Sequence, residues 1–120
     1  MVNNKIQFFM LNQRAMIEDL SPKEFHQALN EDEIILIDVR EKWEFDICKI
    51  DGAVNLPMST IIETYSDLDS SLNYSLYCHH GVRSMQVANF LLSNGFNKLF
   101  NLRGGIDAWS NEIDNSVVRY

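Results

Sequence analysis

Short apolar runs of strand character alternate along this chain with stretches whose apolar residues recur at helical spacing, and that alternation most restricts the fold. The run IILIDV, residues 34–39, is rich in β-branched side chains and carries no charge until Asp38, the pattern of a strand covered on both faces. AVNLP (53–57), NYSLYC (73–78) and KLFNL (98–102) repeat it, closed by Pro57, by Cys78 and ahead of the pair Gly104 and Gly105. Between them lie helix-like stretches. SPKEFHQAL offers Ser21 as N-cap, Pro22 in the first turn and Glu24 to complete a capping box. EKWEF, STIIETY, SMQVANFLLSNG and IDAWSNE follow, the third with an apolar stripe of Val87, Ala88, Leu91 and Leu92 and a stop at Gly95.

Strand–helix alternation over so short a chain predicts an α/β fold: a mainly parallel central sheet with helices on both faces. The 46% of hydrophobic residues among 120 suffices for one core, so residues 15–120 are expected as a single domain. Residues 1–14, with the apolar cluster IQFFML, are set apart as an N-terminal extension of uncertain structure.

Charge and cysteine usage narrow the function. Ten Lys and Arg against seventeen Asp and Glu give a net charge of -7, which opposes attraction to phosphate backbones or anionic lipid. Neither nucleic acid nor a membrane is expected as a partner. No stretch approaches the roughly 18 consecutive apolar residues of a membrane span, and the N-terminus lacks the cleavage pattern of a signal peptide. The two cysteines, Cys48 and Cys78, stand in different contexts and make neither a disulfide framework nor a C-x-x-C pair, so a reducing cytoplasm is the expected setting.

The segment CHHGVRS, residues 78–84, joins an expected strand to the clearest expected helix. In parallel sheets ligands bind beyond the carboxyl ends of strands, and Cys78 stands at such an end. A thiolate is stabilised there by the free N–H groups of the following helix. Gly81 can take positive φ, letting the amides between His79 and Ser84, those of His80, Gly81, Val82 and Arg83 included, turn inward as an anion cradle. Arg83 adds positive charge and Ser84 is the expected helix cap, so the loop should favour the thiolate and hold an anion. That role requires a sulfur facing inward-turned main-chain N–H groups and not sealed within the core.

These residues resemble the rhodanese sulfurtransferases in their single-domain form. The matching pieces are LIDVRE with Glu44 following, IDGAVNLP, YCHHGVRS, LLSNGF and LRGGIDAW, in the family's order and spacing from about residue 20 to 109. The resemblance implies a rhodanese-like fold in which Cys78 takes the outer sulfur of a donor such as thiosulfate. Cys78 would hold it as a persulfide and pass it to a thiol, a cyanide ion or an unidentified protein acceptor, with no metal and no cofactor. Phosphatases related to this fold carry five residues between cysteine and arginine to fit a tetrahedral phosphate. Here HHGV supplies four, a smaller cup that suits sulfur. The alternatives are a non-catalytic binding or regulatory module on this fold, and a phosphatase or arsenate-reductase-like enzyme.

The chain also departs from the family pattern. Cys48 and Lys49 stand where Gly-His is common, and Cys48 is either a small buried thiol or a redox or sulfur-relay partner of Cys78. His79 and His80 replace the Arg or Lys of some relatives, and either point to solvent at the rim or contact substrate there, with charge sensitive to pH near neutrality. Three adjacent residues, Cys78, His79 and His80, cannot wrap one tetrahedral ion. Asp38, Arg40 and Glu44 are expected as a charged cluster at the rim that supports the loop through Arg83. Trp43, Trp109, Phe90 and Phe96 are expected to pack, His26 to be solvated, and Gly104 and Gly105 to bring the IDAW helix beside the cup.

Overall fold

A computed structural model describes residues 15–31 and 33–120; the expected N-terminal extension, residues 1–14, lies outside the described residues. In chain order the elements are β1 (Met16–Leu20), α1 (Pro22–Glu31), β2 (Ile34–Asp38), α2 (Lys42–Ile47), β3 (Val54–Asn55) and α3 (Met58–Thr64). After a 3-10 turn (Tyr65–Asp67) come β4 (Asn73–Tyr77), α4 (Val82–Ser93), β5 (Lys98–Leu102) and α5 (Gly105–Glu112). The five strands form one parallel sheet in the order β1-β5-β4-β2-β3. This is the α/β architecture the alternation predicts.

Strand periodicity divides the core in two. Ile37, Tyr74, Leu76 and Leu99 face one side of the sheet, where Ile61 of α3 and Val87, Ala88 and Leu91 of α4 cover them. Leu36, Tyr77, Phe100 and Leu102 face the other, under Phe25 of α1 and Ile106 and Trp109 of α5. Burial of this apolar surface, at about 25 cal/mol per Å², is the main force holding helices to both faces. The Ser21 capping box forms as expected: the Ser21 N–H donates to Glu24 Oε1 (3.0 Å) and the Glu24 N–H to Ser21 Oγ (3.2 Å).

One strand is not foreseen and one helix start is corrected. β1 is a strand that periodicity does not announce: among the described residues it pairs with β5 alone, at the edge of the sheet, where Glu18 and Asp19 are tolerated. The helix after the loop begins at Val82, not Ser84. Gly81, with φ +99°, is its N-cap, which puts Ser84 inside the first turn and frees its hydroxyl for another use.

Candidate active site

β4 is the central strand, and the loop at its carboxyl end carries Cys78. The Cys78 sulfur accepts from the Gly81 N–H (3.1 Å), the Ser84 N–H (3.4 Å) and the Ser84 hydroxyl (3.3 Å). Two main-chain donors and a hydroxyl thus converge on one sulfur. The glycines make this curl possible. A Cβ on Gly81 would sit 3.1 Å from the Leu102 carbonyl oxygen, and one on Gly105 would collide with the His79 carbonyl. Because Gly105 has no side chain, α5 comes close enough for the Ile106 and Asp107 N–H groups to donate to the Cys78 and His79 carbonyls (2.9 and 3.1 Å). The paired glycines thus bring the IDAW helix beside the cup, as expected.

Cys78 as a whole is only 1% exposed, its flank joining the core around Ile37, Leu76 and Val87. This corrects the expectation of an open sulfur. The Gly81 and Ser84 N–H groups do turn onto the sulfur, while the residue as a whole is buried.

The charged residues divide into two pairs. Arg83 forks onto Glu44, with Nη1 to Oε1 at 2.7 Å and Nη2 to Oε2 at 2.9 Å. The Arg83 bonds hold the Glu44 carboxyl down to about 2, against the opposing effect of burial and with help from Tyr120. Glu44 in turn keeps Arg83 above the usual guanidinium range. The Glu44–Arg83 contact is present. Asp38 and Arg40, by contrast, are not at the rim: both are fully buried, and Arg40 binds Asp38 through Nε and Nη2, the latter at 2.6 Å. Arg40 also donates to the Cys48 carbonyl (2.6 Å). Burial pulls the Arg40 guanidinium down, and its bonds to Asp38 and Tyr120 more than reverse this. The segment running through Cys48 closes over the end of β2, which no local sequence pattern reveals.

Cys48 is buried in the opposite core from Cys78, with its sulfur 3.7 Å from Arg40 Nη1. That places it as a packed thiol beside a cation and on the other face of the sheet from Cys78. His79 is half-buried and His80 exposed, their rings stacked at 3.9 Å. Burial first, and then His80, hold the His79 imidazole below its ordinary range. His79, His80 and Asp107 bring ligand atoms within 4.8 Å of one another. Stacked imidazoles do not converge their in-plane nitrogens on one ion, and Arg119 occupies both Asp107 oxygens. Trp43 is 61% exposed, against the expectation that it packs; Trp109 does pack, edge-on to Phe25. His26 is solvated, as expected, at the edge of Trp109.

Three contributors escaped sequence reasoning. The Ser84 hydroxyl was assigned to capping. Asn55, whose amide donates to the Asp38 and Arg40 carbonyls (3.1 and 2.9 Å), stabilises the neighbouring loop. Tyr120 touches Glu44, Arg40 and His79 from at least 41 residues away in the chain, and no local signal announces it.

Residues 21–112 match the family described as Rhodanese-like domain. The chain belongs to the rhodanese-like family. It is 36% identical over 119 residues to the Rhodanese-like/PpiC domain-containing protein 12, chloroplastic, of Arabidopsis thaliana, an alignment that spans 92% of this chain and 40% of that protein. It is 32% identical over 96 residues to a protein named Sulfurtransferase from Allochromatium vinosum, covering 79% of this chain and 90% of that one. Among solved structures, a rhodanese-like domain protein from Staphylococcus aureus superposes with a TM-score of 0.71 at 28% identity, covering 86% of this chain and 98% of its own. The rhodanese-like chain therefore spans less than half of the plant relative and nearly all of the bacterial one. No helix among the described residues is long and apolar enough to cross a membrane.

Proposed function

We propose that this rhodanese-like domain is a sulfurtransferase in which Cys78 carries the transferred sulfur. The observation that carries the reading is the triple donation onto the Cys78 sulfur from the Gly81 and Ser84 amides and the Ser84 hydroxyl. In the first step the Cys78 thiolate attacks the outer sulfur of a donor such as thiosulfate. A new S–S bond forms, the donor's own S–S bond breaks, and sulfite leaves with the electron pair. The terminal sulfur of the persulfide is then anionic, and the loop amides that held the thiolate lie beside it. In the second step an acceptor thiolate or cyanide attacks that terminal sulfur, and Cys78 departs as thiolate, with no external oxidant or reductant.

Arg83, held by Glu44, supplies positive charge at the loop, and the amides of His79 to Ser84 form the anion site. His79 and His80 serve as rim groups. Asp38 and Arg40 act only through the framework beneath. The four-residue interval HHGV favours a sulfur over a tetrahedral phosphate. Two unpaired thiols, Cys48 and Cys78, fit a reducing compartment such as the cytoplasm.

Comparing thiocyanate formation from thiosulfate and cyanide with hydrolysis of an aryl phosphate tests the reading. Sulfur transfer should dominate and vanish in Cys78→Ala. Phosphate hydrolysis at an equal or greater rate would replace it with the phosphatase alternative.

A further inference from the structure

Tyr120 stands outside every motif that carries the family resemblance, yet its side chain meets both ion pairs of the site. Its hydroxyl donates to Glu44 Oε2 at 2.6 Å and accepts from Arg40 Nη1 at 2.9 Å. Its ring lies flat on His79, centroids 3.9 Å apart and planes 5° from parallel, and meets Trp43 edge-on at 6.2 Å. The Arg40 guanidinium sits 5.6 Å from the ring centre. The segment leading to it is held as well: Val117 is buried in the α5-side core, and Arg119 grips Asp107 of α5 through two bonds, at 3.0 and 3.2 Å. Both the orientation of the hydroxyl and its two partners are thereby fixed.

We propose that Tyr120 is a positioning residue for the Cys78 loop, its hydroxyl linking the rigid Asp38–Arg40 pair at the end of β2 to the Glu44–Arg83 pair that anchors the first turn of α4. The chain of contacts is continuous. Arg40 is immobilised by Asp38 and the Cys48 carbonyl, and Tyr120 bridges from it to the Glu44 oxygen that also receives Arg83 Nη2. Arg83 is followed by Ser84, whose amide and hydroxyl reach the Cys78 sulfur. Without the bridge Glu44 Oε2 keeps one side-chain donor instead of two, and Arg40 Nη1 keeps only the weak sulfur contact. Burial, and then Glu44, raise the Tyr120 hydroxyl to about 12, so it remains a donor across the working pH range. Tyr120 touches neither the sulfur nor the amides that cradle it, which is why the role is positioning and not chemistry.

The variant Tyr120→Phe removes the bridge and keeps the ring stack. The proposal rests on the sulfur-transfer reading only for its kinetic readout. Thiosulfate turnover should fall about tenfold, chiefly in kcat, the scale expected when reacting groups are slightly misaligned. Glu44→Gln should also lower it, and adding Tyr120→Phe to Glu44→Gln should cost less than about twofold more, because both act through one carboxylate. Backbone amide NMR signals of Gly81 and Ser84 should shift in Tyr120→Phe while those of β1 stay in place, a change that ring currents do not explain because the ring is retained. An unchanged kcat with unmoved Gly81 and Ser84 signals overturns the proposal, as does a full tenfold loss added on top of Glu44→Gln. Should the wild-type protein take no sulfur from any donor, the sulfur-transfer reading fails alone, and the Gly81 and Ser84 signals, read in the same two backgrounds, decide the role of Tyr120.

Discussion

Two arginine–carboxylate pairs, joined through Tyr120, live in different dielectric surroundings. Asp38 and Arg40 have no exposed side-chain surface, whereas Arg83 is 32% exposed over a Glu44 that is only 5% exposed. Arg40 is surrounded on every donor by Asp38, the Cys48 carbonyl and sulfur, and Tyr120, so it can neither move nor meet a ligand. Arg83 has one partner residue and an open side. A charge buried with all its donors engaged organises the framework, while a charge tied by a single fork and open to solvent can answer an incoming anion. The same residue types thus divide into scaffold and loop anchor by burial, not by chemistry.

The largest effect that would break this contrast is expected from Asp38→Asn, which leaves the Arg40 charge buried without its partner. Such a loss costs about 3–5 kcal/mol, so urea denaturation should show a strongly destabilised or unfolded protein. Near-native stability would mean that Arg40 is not sealed in. A smaller effect distinguishes the loop pair. Glu44 has its carboxyl lowered from 4.5 to about 2, so its contribution is complete above pH 4.5 and is lost as pH falls towards 2. That loss amounts to about 3 kcal/mol. Arg83 stays charged throughout, and Glu44 contributes to an acid limb that Glu24, Asp69, Asp107 and Asp114 share, their carboxyls being lowered as well. Denaturation measured from pH 5 to pH 2 should show this limb in the wild type and a shallower slope in Glu44→Gln; equal slopes would contradict the assignment. The smallest effect calibrates both. Lys42 and Asp46 pair at 2.9 Å on the surface of α2 with side chains 79% and 58% exposed, and Lys42→Ala should change stability by less than about 0.5 kcal/mol.

Much of this could be read from the chain because the signals are local. The interval from Cys78 to Ser84 fixes strand, turn and helix through a glycine at position 81, and the runs at 34–39 and 98–102 send apolar residues into both cores, Ile37 and Leu99 into one and Leu36, Phe100 and Leu102 into the other, so they read as strands. What stayed hidden depends on segments far apart in sequence. Asp38 and Arg40 sit at a strand end, where side chains usually meet solvent, and only the packing of the Cys48 segment over them makes them interior. Tyr120 carries no motif, and its partner Glu44 is 76 residues away. Ser84 satisfied a plausible capping role, until the positive φ of Gly81 shifted the helix start by two residues. β1 remained hidden because an edge strand can carry Glu18 and Asp19 without losing core contacts.

The most direct test is intact-protein mass spectrometry after incubation with thiosulfate and removal of free donor. A gain of one sulfur atom in the wild type and in Cys48→Ala, absent in Cys78→Ala and released by cyanide, is the expected result. A gain that persists in Cys78→Ala, or no gain with thiosulfate, mercaptopyruvate or glutathione persulfide as donor, would contradict Cys78 as the sulfur carrier.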